Sequence, residues 1–451
     1  MITYSVIQKS QLEGATRLDA EYYQSEYFID YSKGDWKPLN SFLEICQYGI
    51  SLAMNEEAIG YPIFRMDDIK NAFLMNDEVK YVDIPQNIFN QFKLEKNDVL
   101  FNRVNSEDFV GRTGIFKLDG DFVFASYLIR LRVKMDSSIF ADYLNIFLNS
   151  SFGIKQIRKF RRRAVNQANV NAEELKQIRI PVLPQKFQKQ IEQISNNSWK
   201  NYELSKSLYS KAEDLLLEEL GLKNFKPKEE LSYIVNLSNV KSAHRTDAEY
   251  FQPKYEKIIE KIKKQNVKSL GNLVSLRKGF EPGSDEYQNE GKLFIRVSNI
   301  SSHGLIDKDQ KYLSEELYQI LRRDFEPKTG EILLTKDATP GIAYVLKESV
   351  EGIIAGGIVR LKLKEDIEGE YLGLCINSFV GQMQIERDAG GSVIAHWKPD
   401  QIKKLQVPIL PKPTQQKIAD LVHQSHQASK KAKELLEKVK REVEEFIEKK
   451  Q

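Results

Sequence analysis

With 451 residues, 41% of them hydrophobic and 29% charged, the chain has the composition of an ordinary globular protein and the length for two to four domains with real cores. A net charge of +3 does not by itself announce a nucleic-acid binder, so the distribution of charge carries more than its sum. No run of about 18 apolar residues argues for a membrane-spanning helix, and Met1-Ile2-Thr3-Tyr4-Ser5 lacks the basic-then-apolar layout of a signal peptide, so the cytoplasm is the expected compartment. Cys46 and Cys375 stand far apart in unrelated motifs; both are expected to be small buried hydrophobes rather than a disulfide or a metal site.

In chain order, residues 1–184 mix short strands with short helices. Stretches 79–84, 98–103, 114–118 and 122–133 are rich in β-branched and aromatic residues between turn residues, and 141–162 reads as one or two helices. Residues 185–222 form a helix pattern almost free of breakers. Residues 223–411 repeat the first order, with strands at 293–297, 331–335, 342–346 and 353–363 and a helix at 371–387. Residues 412–451 are a second long helix pattern. Strands and helices of this kind predict an α+β fold rather than an alternating parallel α/β sheet.

The halves echo each other in sequence. Asp19-Ala20-Glu21-Tyr22-Tyr23-Gln24 returns as Asp247-Ala248-Glu249-Tyr250-Phe251-Gln252, residues 125–131 answer 355–361, and Ile180-Pro181-Val182-Leu183-Pro184 answers Val407-Pro408-Ile409-Leu410-Pro411. The period is far longer than that of a solenoid, so the chain reads as a duplicated domain, a covalent dimer with an approximate twofold axis.

Each long helix carries a seam at steps of three and four. Ile191, Ile194, Ser198, Asn201, Ser205, Leu208, Ala212 and Leu215 mark the first; Ile418, Leu421, Ser425, Ala428, Ala432, Leu435, Val439 and Phe446 mark the second. Small or polar residues fall mid-helix in both. An antiparallel coiled coil sets small against small, and the chain connectivity favours the same arrangement. At about 1.5 Å per residue the helices are long enough to act as spacers as well as supports.

No catalytic signature is present. The chain lacks a Walker-type loop, a Gly-x-Ser-x-Gly elbow and a metal-spaced histidine pair; His423 and His426, three apart, read as a solvated helix face. An adenine amino-methyltransferase is expected to show an Asn-Pro-Pro-Tyr or Asp-Pro-Pro-Tyr tetrapeptide, and none occurs. The repeated Asp19/Glu21 and Asp247/Glu249 pairs sit among aromatics and read as capping or packing elements.

What remains are loop clusters suited to nucleic acid. The first half offers Asn102, Arg103, Asn105 and Arg112, then Arg161, Arg162, Arg163, Asn166, Gln167 and Asn169, within a basic run that has no acid between Asp142 and Glu173. The second half offers Lys336 and Thr339, then Arg387, Gly391, Ser392, His396 and Lys398. Arginine pairs bidentately with guanine, and Asn or Gln with adenine. A solvated basic face, or turn residues serving their own backbone, is the plainer alternative for each. Because framework repeats and loops do not, two readers with two unlike half-sites are expected.

The chain resembles the DNA-specificity subunit of type I restriction-modification systems over essentially its whole length. The resemblance rests on the duplicated Asp-Ala-Glu-Tyr elements and on the two helix starts, Pro184-Gln185-Lys186-Phe187-Gln188-Lys189-Gln190-Ile191 and Pro411-Lys412-Pro413-Thr414-Gln415-Gln416-Lys417-Ile418. It implies two target-recognition domains, 1–184 and 223–411, with conserved-region helices 185–222 and 412–451 paired antiparallel. It also implies a non-catalytic subunit that binds double-stranded DNA and holds two copies of an adenine methyltransferase, where S-adenosylmethionine is bound. This chain then needs no cofactor or metal of its own. Whether ATP-dependent restriction subunits join is left open, as are a self-contained methyltransferase or nuclease and a scaffold without DNA binding. The Arg-rich, glycine-free loop at 161–169 departs from its partner, which carries Gly390-Gly391-Ser392 in the family's manner.

Overall fold

The computed structural model describes residues 6, 19–164, 167–226, 230–307, 309–389 and 395–449. The chain forms two compact units, Met1–Tyr202 with Lys430–Gln451, and Glu203–Ser429. Two long helices, Gln185–Glu219 and Lys412–Glu448, each contribute one part to either unit.

In the first unit a six-stranded sheet runs in the order Leu43–Tyr48, Leu128–Val133, Val99–Asn102, Thr113–Ile115, Phe73–Leu74, Ile69–Lys70. Most neighbours are antiparallel. A three-stranded sheet sets Val123–Phe124 parallel to Tyr61–Phe64, with Lys80–Val82 antiparallel beyond it. The stretch expected as one strand at 122–133 is therefore two. Leu128 N donates to Ala125 O at 2.9 Å, and this tight turn passes the chain from one sheet to the other.

The second unit repeats the plan. Val274–Lys278, Ile358–Leu363, Ile332–Thr335 and Ala343–Val345 form an antiparallel sheet. Gly352–Ile354 lies parallel to Lys292–Ile295, and Ile358 N donates to Ala355 O across the same turn. Prevalent antiparallel pairing with helices beside the sheets makes both units α+β.

Two helices pack behind each sheet, Ala141–Leu148 with Ser151–Phe160 and Gly369–Asn377 with Phe379–Asp388, so the helix patterns at 141–162 and 371–387 each break once. Ser150 and Ser378 donate from Oγ to Phe147 O and Cys375 O at the breaks. Glycine follows in both copies because the second helix starts against the first: a Cβ on Gly153 would lie 2.3 Å from Phe147 O, and on Gly381 2.2 Å from Ile376 O. The first helix of each pair is anchored by a buried tyrosine, Tyr143 Oη donating to Pro181 O and Tyr371 Oη to Pro408 O, both at 2.7 Å.

Those prolines belong to the repeated helix starts, and the glutamine that follows explains the motif. Gln188 Nε2 donates to Leu183 O (2.8 Å) and Ser138 O (2.9 Å), while its Oε1 accepts from Phe140 N (2.8 Å). Gln415 Nε2 donates to Leu410 O (2.8 Å) and its Oε1 accepts from Glu368 N (3.2 Å). Both amides are buried, and each spends its polar atoms on backbone groups around the helix start.

Within each unit the two helix segments run antiparallel. In the first, Phe187 stacks on Phe446 with ring centroids 4.3 Å apart, Gln190 Nε2 donates to Glu442, and Ser198 Oγ donates to Ala432 O at 2.8 Å. In the second, Ser205 and Ser425 place their hydroxyls 3.1 Å apart, and Ser425 Oγ donates to Ser205 O. Small residues at these positions let the backbones approach closely. The expected seam shifts by one residue at two places, with Leu216 buried in place of Leu215 and Leu436 in place of Leu435, while Phe446 keeps its expected place against Phe187.

Candidate nucleic-acid interface

The two basic-and-amide clusters of the first half meet in space. Val104–Asn105 pairs with Gln167–Asn169, which pairs with Arg162–Ala164, giving a small sheet in which Asn105 lies opposite Ala168 and Asn169 opposite both Val104 and Arg162. Arg112 joins them through the backbone, its carbonyl accepting from Asn102 N at 2.9 Å. Asn102 is itself buried, with Nδ2 donating to Phe109 O. Arg103 donates from Nε to Ser126 O at 2.9 Å and covers the Tyr48 ring. Asn105 Nδ2 lies 3.5 Å from Met66 Sδ. Gln167 is exposed, and so is Arg112, whose guanidinium rests 3.9 Å above the Phe109 ring.

The acids missing from the basic run in sequence arrive from elsewhere in the fold. Arg161 pairs with Glu107 (3.0 Å), Arg162 with Glu174 (2.6 Å), and Arg163 with both Glu21 (2.6 Å) and Glu107 (2.8 Å). The side chain of Arg161 is only 10% exposed and that of Arg162 is 60% exposed, so the three are not equivalent for an outside anion. Asn166 lies outside the described residues.

The second half builds the corresponding place from different chemistry. Ala338 N donates to Ala395 O (3.0 Å) and Trp397 N to Lys336 O (2.8 Å), which brings 335–339 against 395–398. There His396 Nδ1 lies 2.8 Å from Asp337 Oδ1, and Lys336 Nζ holds Asp337 Oδ2. Burial pushes the Asp337 carboxyl up, but the hydrogen bonds from Lys336 and His396 outweigh it and hold it below its ordinary value. Thr339, His396 and Lys398 are exposed, and Lys336 is buried. Arg387 is turned to another task, covering the Tyr250 ring at 4.6 Å and donating to Tyr250 O. Gly391 and Ser392 lie outside the described residues.

Tyr250 belongs to the repeated Asp-Ala-Glu-Tyr element, which has the packing role its aromatic setting predicts. In the first copy Tyr22 N donates to Asp19 Oδ1, and the buried Tyr22 ring meets Phe160 edge-on. In the second Arg245 pairs with Asp247 and covers Tyr250.

Sequence reading missed two features. Tyr127, half exposed, accepts the Arg103 N–H at the position where the second unit has Gly357 accepting the Lys336 N–H. This exchange of tyrosine for glycine, in the turn before an otherwise similar strand, was a usable signal. The buried pair Arg130 and Arg360 was the other. Arg130 donates to Lys93 O and Gln91 O, and Arg360 to Glu326 O and Asp324 O, each neutralising the carbonyl end of a helix, Gln86–Phe92 or Glu315–Phe325.

Cys375 is buried and Cys46 half-buried; burial pushes their thiols up to about 12 and about 11, as inert hydrophobes require. Among the described residues no cluster of three His, Cys, Asp or Glu could hold a metal, and no helix is long and apolar enough to cross a membrane.

Residues 34–213 and 261–441 each match the type I restriction modification DNA specificity domain. The chain belongs to that family. A protein of Methanocaldococcus jannaschii described as the type I restriction enzyme MjaX specificity subunit is 31% identical over 182 residues, 39% of this chain and 43% of that protein. The type I restriction enzyme EcoKI specificity subunit of Escherichia coli K12 is 26% identical over 161 residues, 35% of this chain and 34% of that protein. The matched segments thus span less than half of either relative. The crystal structure of a type I restriction-modification S subunit from M. genitalium aligns over 94% of this chain and 98% of that one, at 13% identity and a TM-score of 0.44.

Proposed function

We propose that the chain is a non-catalytic specificity subunit that reads two unlike half-sites in double-stranded DNA. The observation that carries this reading is a duplicated framework bearing unduplicated loops. Buried anchors recur one for one, among them Tyr143 and Tyr371, Gln188 and Gln415, Arg130 and Arg360. The loops they support present Arg112, Arg162, Gln167 and Asn169 in one unit and Thr339, His396 and Lys398 in the other. Guanidinium and amide groups suit guanine and adenine edges, and the second set offers a different donor pattern, so an asymmetric bipartite target follows. Family membership of both halves supports the reading. In this account the subunit docks two adenine methyltransferase subunits, which supply S-adenosylmethionine chemistry, and in a restricting assembly ATP-dependent subunits as well. Of the 17 residues singled out from sequence, Arg112, Arg162, Arg163, Gln167, Thr339, His396 and Lys398 are exposed among the described ones and lead the proposed reading set, while Asn102, Arg161, Lys336 and Arg387 support the loops.

The test is selection of bound duplexes from a random pool by the purified chain, with affinity followed against salt. The expected outcome is two different conserved blocks around a fixed gap and a steep fall in affinity as salt rises. Salt-independent or absent binding would leave a scaffold. Methyl transfer or strand cleavage by the chain alone, supplied with S-adenosylmethionine and magnesium, would instead make it an enzyme.

A further inference from the structure

In the second unit, Arg277, Arg323, Lys328, Arg360 and Lys362 line one basin of about 340 Å³ with a single acid, Glu331. Arg277 and Arg360 are register partners on adjacent strands, Arg323 comes from the helix Glu315–Phe325, and Lys328 from the turn after it. Arg360 is buried, its side chain 4% exposed; it pairs with Glu331 at 3.4 Å and donates to Glu326 O and Asp324 O, while its Nε, like that of Arg130, has no hydrogen-bond partner. Lys328 is held by Glu326, whose carboxylate also accepts from Tyr318. Among the described residues Arg277, Arg323 and Lys362 are in no ion pair.

The first unit supplies an internal comparison. There Arg130 lies opposite Gln47 where Arg360 lies opposite Arg277, and Glu95 N donates to Asp98 where Lys328 N donates to Glu331. Glutamine thus replaces Arg277, and an acid replaces Lys328. The remaining arginine is consumed locally: Arg132 makes two 2.7 Å bonds to Asp98 and one to Glu95. One framework position is acid-balanced in one copy and predominantly cationic in the other.

We propose that the basin formed by Arg277, Arg323, Arg360 and Lys362 binds a phosphate group, a site the second unit has gained and the first lacks. Guanidinium forks match phosphate oxygens, and a dianion relieves the mutual repulsion of clustered cations. The site is separate from the proposed reading loops. Glu331 precedes the strand Ile332–Thr335 and Lys336 follows it, roughly 16 Å along at about 3.3 Å per residue. Free inorganic phosphate and a DNA backbone phosphate share the required chemistry.

The test is a titration of the full chain with inorganic phosphate at constant ionic strength, followed by phosphorus NMR. Saturable broadening is expected, weakened at least tenfold by the double variant Arg277→Glu, Lys362→Glu and unchanged by Lys278→Glu, an exposed neighbour outside the basin. Circular dichroism melts confirm that the variants fold, and Arg323→Gln, on a different element, is expected to weaken binding as well. Duplex DNA that displaces the phosphate, with a salt slope lowered by about 2 in the double variant, identifies the backbone as the source. Phosphate retained in the presence of saturating DNA identifies a free anion. Broadening that does not saturate, or that persists unchanged in the double variant, overturns the site.

Discussion

His396 Nδ1 lies 2.8 Å from Asp337 Oδ1, a contact that joins two segments 59 residues apart and, among the described residues, has no equivalent in the matching loops of the first unit. Asp337 titrates below the usual carboxylate value of about 3.9 because Lys336 and His396 outweigh the effect of its burial. A depressed folded-state value means the carboxylate stabilises the fold above about pH 4, and that this stability is lost as pH falls through Asp337's own lower value. Asp337→Asn should therefore lose less stability than the parent between pH 7 and pH 3, as read by urea midpoints. Parallel acid limbs would contradict the assignment.

The three arginines at 161–163 should separate in solution. Arg162, mostly exposed, is expected to make a phosphate contact, so Arg162→Ala should lower the salt slope of DNA binding by about 1. Arg161, nearly buried against Glu107, is expected to support the loop, so Arg161→Ala should lower stability by about 1–3 kcal/mol and leave the slope alone. Equal slopes for parent and Arg162→Ala would remove that residue from the interface.

Gln188, itself fully buried, serves three backbone groups. Gln188→Ala strands all three, and a loss of about 2–4 kcal/mol is expected in urea unfolding. Gln415→Ala should behave alike and somewhat more mildly, since Gln415 serves two. A change under about 0.5 kcal/mol at both sites would mean that the proline-and-glutamine start is not structural.

At Ser425, buried against Ser205, bulk rather than polarity should decide the outcome. Ser425→Ala is expected to cost about 1 kcal/mol for the lost hydrogen bonds, and Ser425→Leu to cost more through overpacking, about 1–3 kcal/mol on top. A leucine variant as stable as the alanine one would show that the helices do not approach closely there.

The duplication, several strands of each sheet and the two long helices were legible because each is a local pattern repeated. Stretches rich in β-branched and aromatic residues, a seam at three and four, and a proline-glutamine motif survive without knowledge of neighbours. What was not legible depended on distant residues. The acid-poor run at 161–163 appeared uncompensated because Glu21, Glu107 and Glu174 lie outside it. His426, expected on a solvated face beside His423, is buried instead: its Nε2 is 2.9 Å from Ser302 O and its ring lies beside His303 and Tyr344, a neighbourhood supplied by the globular part. Arg387 read as a loop cation and proved to be a clamp on Tyr250. Contact across the duplicated framework, rather than residue type, separates supporting from exposed side chains.

The central claim is that like frameworks carry unlike readers. Its most direct test is a base-resolution map of modified adenines in DNA from cells expressing this chain with the adenine methyltransferase proposed to dock on it. The account predicts methylation within a bipartite motif whose two halves differ in sequence, with Thr339→Ala or His396→Ala altering one half and Arg112→Ala or Gln167→Ala the other. A palindromic motif, or loop variants of one unit that change both halves together, would contradict it.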